Sequence, residues 1–140
     1  MNWKLILQLS LFGLVMGVAT VFLIPSNIEP FFWLPILVFC GYWIARHTAT
    51  GRFLHGLLLG VVNSIWITGA HILFFEQYIQ HHAQESAMMA NSPLPARLMM
   101  GVVGLISGLV SGAVIGLFTL IAGKLLKGSA DKPKAMGQSA

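Results

Sequence analysis

The stretch GVVGLISGLVSGAVIG, residues 101–116, joins long apolar side chains to a regular series of glycines. From residue 104 a glycine recurs at every fourth position, and two serines interrupt the apolar residues between them. Each glycine costs a helix about 1 kcal/mol relative to alanine, so the series requires a compensating gain. In a membrane, small residues four apart let two helix backbones approach closely. The stretch therefore predicts a membrane-spanning helix with a glycine zipper, whose packing residues are Gly104, Gly108, Gly112, Gly116, Ser107 and Ser111.

Shorter pairs of the same spacing occur in two earlier apolar segments. These pairs, Gly13 with Gly17 and Gly56 with Gly60, are predicted as helix-packing residues on the same grounds. Three arrangements remain open, because the motif reports only close approach of backbones. They are packing within one chain, a homo-oligomer formed through the last helix, and the lining of a pore.

The composition places the protein in a lipid bilayer. The chain has 140 residues, of which 56% are hydrophobic and 9% are charged. Soluble domains carry about 25% charged residues, so a chain this poor in charge could not cover its apolar surface in water. The net charge of +4 does not indicate a nucleic-acid partner, because the basic residues lie at the ends of apolar segments. No soluble partner is identified, and Cys40, the single cysteine, excludes a disulfide within the chain.

Four apolar segments predict an all-α fold, a polytopic bundle of four transmembrane helices joined by short loops. The predicted spans are about 4–24, 30–46, 52–80 and 97–124. They form one transmembrane domain, residues 1–127, followed by a polar tail, 128–140, that is predicted to be disordered and cytoplasmic. The alternative for the first span is a cleaved signal peptide. It is less favoured because the apolar run exceeds the usual ~7–15 residues.

The distribution of charge predicts the orientation of the helices. If both termini are cytoplasmic, seven of the eight Lys and Arg residues lie on the cytoplasmic side. Only Arg97 lies outside, in agreement with the positive-inside rule. The sequence therefore predicts an integral membrane protein with both termini in the cytoplasm.

The third segment carries small polar side chains on one helix face. At about 100° per residue, the residues that share a sector with Gly60 are Ser64, Thr68, His71, Tyr78 and His82. Such a stripe must face protein or water, because lipid cannot satisfy its hydrogen bonds. Either it joins neighbouring helices by hydrogen bonds, or it lines an outward-opening path for a solute or a proton. A pore of this kind would need an oligomer.

The segment that follows is rich in histidine and methionine. Imidazole and thioether ligands would suit copper(I), and His82, Glu85 and Met88 are the candidates for copper or zinc. The spacing is irregular, so no metal site and no cofactor is predicted. Catalytic motifs such as HExxH and GxSxG do not occur in the sequence, and an enzyme is not predicted.

The layout resembles small four-helix bacterial membrane proteins of unknown function. The resemblance rests on the turn ARHTATGRFLHG, residues 45–56, on a long third helix ending in Tyr and His, and on the glycine-rich last helix. It implies a bacterial cytoplasmic membrane and no functional residue. The leading hypothesis is a non-enzymatic, glycine-zipper-packed bundle acting as an oligomeric or accessory membrane component. The alternative is a small oligomeric channel or transporter for an ion or small solute, using the polar face of the third helix.

Overall fold

The computed structural model describes the backbone of residues 1–136 and, among these, the side chains of residues 1–127. The described residues form helices and no strand, which confirms the all-α prediction. The helices are α1 Trp3–Phe22, α2 Glu29–His47, α3 Arg52–Leu73, α4 Phe75–His81, α5 Ala83–Ala90 and α6 Ala96–Met136. The backbone of residues 128–136 continues α6, within the predicted tail 128–140. The side chains of the tail lie outside the described residues, and its disorder stays a prediction.

Three of the helices are long and apolar enough to cross a membrane. They are α1, α3 and the part of α6 from Ala96 to Lys127. The second helix has 19 residues but does not reach the same apolarity, because it includes Glu29, Arg46 and two prolines. The prediction of four transmembrane helices is therefore supported for three of them by length and composition.

The third predicted span is interrupted. The sequence predicts one helix over 52–80, but α3 ends at Leu73 and Phe74 leaves helical geometry with φ −104° and ψ 41°. The Phe74 ring packs edge-to-face on Phe22, with centroids 5.3 Å apart. The break directs α4 across the end of α1, where Tyr78 joins a small apolar cluster with Val21 and Met100. Packing against α1 thus overrides the helical periodicity of the sequence.

The long helices pack in the order α1, α3, α6, α2, so that α3 and α6 are central. The main core lies where α1 and α3 begin and α2 ends. Its buried members are Leu5, Ile6, Leu9, Cys40, Ile44, Leu59 and Ile115. Residues from all four long helices meet there, so this half of the bundle is filled with apolar side chains.

The two ends of the bundle carry opposite charges. The end beside the main core, called the basic end below, holds Lys4, Arg46, Arg52, Lys124 and Lys127. The opposite end, called the acidic end, holds Glu29, Glu76 and Glu85 together with Arg97. Arg97 lies over the Phe75 ring at 5.5 Å from its centroid, a cation–π arrangement.

A tight connection closes the basic end between α2 and α3. Gly51 has φ 64°, in the left-handed region where a side chain is costly, which accounts for a glycine at this turn. Arg52 donates from Nε to the carbonyl of Thr48 at 3.0 Å and from Nη2 to that of Ala45 at 3.2 Å. The cation thereby satisfies carbonyls at the C-terminus of α2, where its charge also favours the helix dipole.

Candidate functional site: a cavity at the acidic end

The glycines predicted to pack helices face one another across the contact between α3 and α6. A Cβ built on Gly60 would collide with the backbone of Gly112, and one on Gly56 would lie 2.6 Å from Cα of Gly116. Since the obstructing atoms are backbone, no side-chain rearrangement can relieve the contact. We call this contact between glycine-bearing faces the α3–α6 seam. It lies within one chain.

The seam continues toward the acidic end with polar partners. A Cβ on Gly108 would lie 2.5 Å from the Cβ of Ser64, and one on Gly104 would lie 3.0 Å from the Cβ of Thr68. The two serines of the predicted zipper do not share this role. Ser107 is exposed, and Ser111 donates to the carbonyl of Gly108 at 3.2 Å within its own helix.

The predicted pair on α1 meets the opposite face of α3. A Cβ on Gly13 would lie 2.8 Å from Cα of Asn63, and one on Gly17 would lie 2.9 Å from Cα of Ile67. The Asn63 Oδ1 atom is buried against Gly13 without a hydrogen-bond partner among the described residues. A contact with the Cα hydrogen of Gly13 is a weak substitute of the kind found between closely packed helices. Helix α3 is therefore in close contact with α6 on one face and with α1 on the opposite face.

Two hydrogen bonds join α1 to α3 in the same region. Trp66 donates from Nε1 to the Ser10 hydroxyl at 3.2 Å. Nε2 of His71 lies 2.8 Å from the hydroxyl oxygen of Thr20. The same hydroxyl lies 2.9 Å from the carbonyl of Met16 and 3.1 Å from that of Gly17. Which group donates in the Thr20–His71 bond depends on the histidine tautomer.

Thr20→Val is expected to destabilise the protein by about 1–2 kcal/mol, because it removes the hydrogen-bond partner of the His71 ring. Thr119→Val is the matched control. Thr119 is equally buried and donates only to Ile115 of its own helix, at 2.8 Å. The check is thermal unfolding of both variants in the same detergent. Equal melting temperatures for the two variants would show that the Thr20–His71 bond contributes nothing.

Three aromatic rings of the predicted stripe form a stack across the helix break. The rings of His71 and Tyr78 have centroids 4.1 Å apart, and those of Tyr78 and His82 are also 4.1 Å apart. Nδ1 of His82 donates to the carbonyl of Tyr78 at 2.9 Å, which leaves Nε2 as an acceptor, buried and unpartnered among the described residues. Burial raises the pKa of the Tyr78 hydroxyl above its usual range, and the carboxylates of Glu85 and Glu29 raise it further. The tyrosine therefore stays neutral.

A cavity of about 370 Å³ lies beside this stack, between α2, α3, α5 and α6. Four polar residues of α3 line it: Asn63, Ser64, Thr68 and His71. Leu37 lines the cavity and also packs on the main core, so the filled half of the bundle forms its floor. At the other extreme Met88, 59% exposed, marks the mouth. The cavity thus extends from the acidic end to the main core, which separates it from the basic end.

The mouth carries two carboxylates. Glu29 accepts a hydrogen bond on Oε1 from Nε1 of Trp33, one helical turn later, at 2.9 Å. Glu85 on α5 faces the same space, and its Oε2 is buried without a partner among the described residues. Both residues also line a second, more open cavity of about 400 Å³ that adjoins the first. The carboxylates therefore lie on the route between the solvent and the cavity.

The structure brings most of the predicted path residues together. Ser64, Thr68, His71 and Tyr78 line the cavity, whereas His82 stacks behind Tyr78. Of the metal candidates, Glu85 and Met88 line the cavity, and no group of three or more His, Cys, Asp and Glu residues in the described chain could hold a metal ion.

The sequence interpretation missed the contribution of α2. Glu29, Trp33 and Leu37 line the cavity at intervals of four residues, a helical spacing that indicated a common face. It also missed His55, whose Nε2 accepts from the backbone N–H of Asn2 at 3.0 Å and ties the start of α1 to α3.

Comparison with known proteins adds no further assignment: the chain matches no protein-family model, no curated protein and no solved structure.

Proposed function

We propose that this chain is a small non-enzymatic membrane transporter that receives a solute in the cavity between α2, α3, α5 and α6. The observation that carries the proposal is a cavity that reaches one end of the bundle. Its lining extends from Glu29, Glu85 and Met88 at the acidic end to Leu37, which packs on the apolar core of the other half. A continuous pore would be open at both ends, whereas a carrier exposes its site to one side at a time. A transporter fits this geometry better than a channel.

Placement in a bilayer is supported by the outward faces of the helices. Large apolar side chains such as Leu7, Leu105 and Val110 are exposed by half or more. The second helix is the fourth membrane-spanning element in this proposal. Its 19 residues extend roughly 28 Å, close to the ~30 Å thickness of the hydrocarbon core. Pro30 lies in the first turn, where a proline costs a helix least, whereas Pro35 lies inside the helix and has no N–H to donate to the carbonyl of Phe31.

The proposed location is a bacterial cytoplasmic membrane, with the basic end and both termini in the cytoplasm. The lysines and arginines at that end support this orientation through the positive-inside rule. The acidic end then faces outward, and the cavity receives its solute from outside the cell.

The hypothesis of an accessory packing component has weaker support. Glycines that would drive association through a glycine zipper in the last helix already face α3 of the same chain. A homo-oligomer through that helix would have to use its outward side, which carries Leu105, Leu109 and Leu117.

Cysteine labelling in lipid nanodiscs tests the open cavity. In a Cys40→Ala background, Ser111→Cys in the cavity should react with a water-soluble thiol reagent. Ser10→Cys is the matched control, since Ser10 is 1% exposed between α1 and α3 and does not line the cavity. Labelling of residue 111 and silence at residue 10 is the expected result. Silence at residue 111 and also at Ser107→Cys would mean that water does not enter, and the transporter proposal would fail.

A further inference from the structure

The cavity mouth is rich in acceptors that lack donors. Oε2 of Glu85 is buried and has no hydrogen-bond partner among the described residues. Oxygen atoms of a carboxylate removed from water need a donor or a cation, because an unpaired one loses its solvation without compensation. Glu29 adds a second carboxylate to the lining of the same cavity.

Three of the donors that line the cavity are engaged within the protein. The Ser64 hydroxyl donates to the carbonyl of Val61 at 2.8 Å, and the Ser111 hydroxyl donates to that of Gly108. The indole N–H of Trp33 donates to Glu29 and leaves the second oxygen of that carboxylate available. Arg97, the arginine at the acidic end, lies over the Phe75 ring. A ligand that carries N–H donors and a positive charge would pair with the free carboxylate oxygens of Glu85 and Glu29.

The rest of the lining suits an apolar group. Trp33 and Tyr78 present aromatic surface to the cavity, and Met88, Met89, Met99 and Met100 supply polarisable thioethers. Aromatic faces attract cations as well as apolar groups, and methionine adapts its shape to irregular partners. The volume of about 370 Å³ lies at the lower end of the ~300–1,000 Å³ range of ligand pockets, which indicates a small molecule.

We propose that the solute is a small organic cation, a protonated amine joined to an apolar group, held by Glu85 and Glu29 at the cavity mouth. This inference rests on the proposed function, because it assigns a substrate class to the same cavity. The ammonium group pairs with the two carboxylates. The apolar group lies inward against the aromatic rings and thioethers.

Charge selectivity of thiol labelling tests the cation. Ser107→Cys in the Cys40→Ala background is reacted with a cationic ammonium-bearing methanethiosulfonate and with its anionic sulfonate counterpart. Nanodiscs of zwitterionic lipid remove the surface potential of the membrane. We expect the cation-to-anion rate ratio to exceed that of exposed Asn91→Cys by about tenfold or more, as electrostatic focusing in a charged cleft produces. Glu85→Gln and Glu29→Gln should each reduce the excess.

Glu76→Gln is the matched control, because Glu76 is an exposed carboxylate at the same end but outside the cavity. It should leave the ratio unchanged. If the ratio at residue 107 equals that at residue 91, the cavity is open but has no cation preference, and this inference fails while the proposed function stands. If Glu76→Gln reduces the ratio as much as Glu85→Gln, the selectivity belongs to the whole surface and the inference fails too. No labelling by either reagent at residue 107 or at residue 111 overturns both proposals.

A protection experiment distinguishes binding of the cation in the cavity from electrostatic attraction of a charged reagent. Added 2-phenylethylammonium should slow labelling of Ser111→Cys by a neutral thiol reagent, whereas 2-phenylethanol at the same concentration should not. The protection should be lost in Glu85→Gln. Equal protection by the alcohol and the ammonium compound would show an apolar site without the proposed ion pair, and absence of protection by the ammonium compound would remove the cation as a ligand.

Discussion

Gly112→Ala is expected to lower the free energy of unfolding by about 3 kcal/mol, at the upper end of the usual cost of overpacking. The new methyl group would meet the backbone carbonyl of Leu57, and the atoms around it belong to the α3 backbone. Backbone atoms cannot rotate away, so α3 and α6 must separate. Separation would also weaken neighbouring contacts along the seam, including those at Gly60 and Gly116.

Gly101→Ala is the control for this substitution. Gly101 lies in the same helix, and a Cβ there would have no described atom within 4 Å apart from the neighbouring backbone of its own helix. Alanine is a better helix former by about 1 kcal/mol, so this variant should be as stable as the parent or more stable. Denaturation of both variants in mixed micelles measures the difference. Equal stabilities for Gly112→Ala and Gly101→Ala would refute the close approach of the two helices.

The second large effect concerns the orientation of the protein in the membrane. At each cysteine position the expected result is either labelling or no labelling. In intact bacterial cells, Asn27→Cys and Asn91→Cys are expected to react with a membrane-impermeant thiol reagent. Ala49→Cys is expected to react only after the cells are permeabilised. All three side chains are exposed, so burial does not account for silence at any of them. The physical reason is that the loop containing Ala49 joins the arginine-rich ends of α2 and α3, which the positive-inside rule retains in the cytoplasm.

The background for this experiment is Cys40→Ala, because the native cysteine is buried in the main core. Labelling of Ala49→Cys in intact cells, with Asn27→Cys reactive only after permeabilisation, would invert the orientation. In that case the cavity would open to the cytoplasm, but its geometry and the cation inference would be unaffected.

The glycine pattern and the observed helix contacts can be compared position by position. Glycines at intervals of four residues predicted close approach, and those of α6 lie against α3. The spacing could not identify the partner, because the same motif serves contacts within a chain and between chains. Ser107 shows the limit of the motif. It directly precedes Gly108 in the sequence, yet it lines the cavity instead of packing against α3.

The cavity itself was only half predictable. The helical periodicity of the third segment placed Ser64, Thr68 and His71 on one face, and they line the cavity together. The wall formed by α2 depends on which helices are neighbours, and no local pattern encodes that order. The break at Phe74 was also hidden, because no proline or glycine marks it and the contact of Phe74 with Phe22 joins residues far apart in sequence.

The α3–α6 seam also affects the order in which the helices can pack during synthesis. A ribosome that has completed Leu73 must add 43 more residues before Gly116, the last glycine of the seam, exists. At about 5–20 residues per second this takes roughly 2–9 seconds. During that interval α1 is available to α3, whereas α2 packs mainly on the helix still to be made. We therefore expect the α1–α3 pair to assemble first during synthesis, before α6 completes the bundle and encloses the cavity.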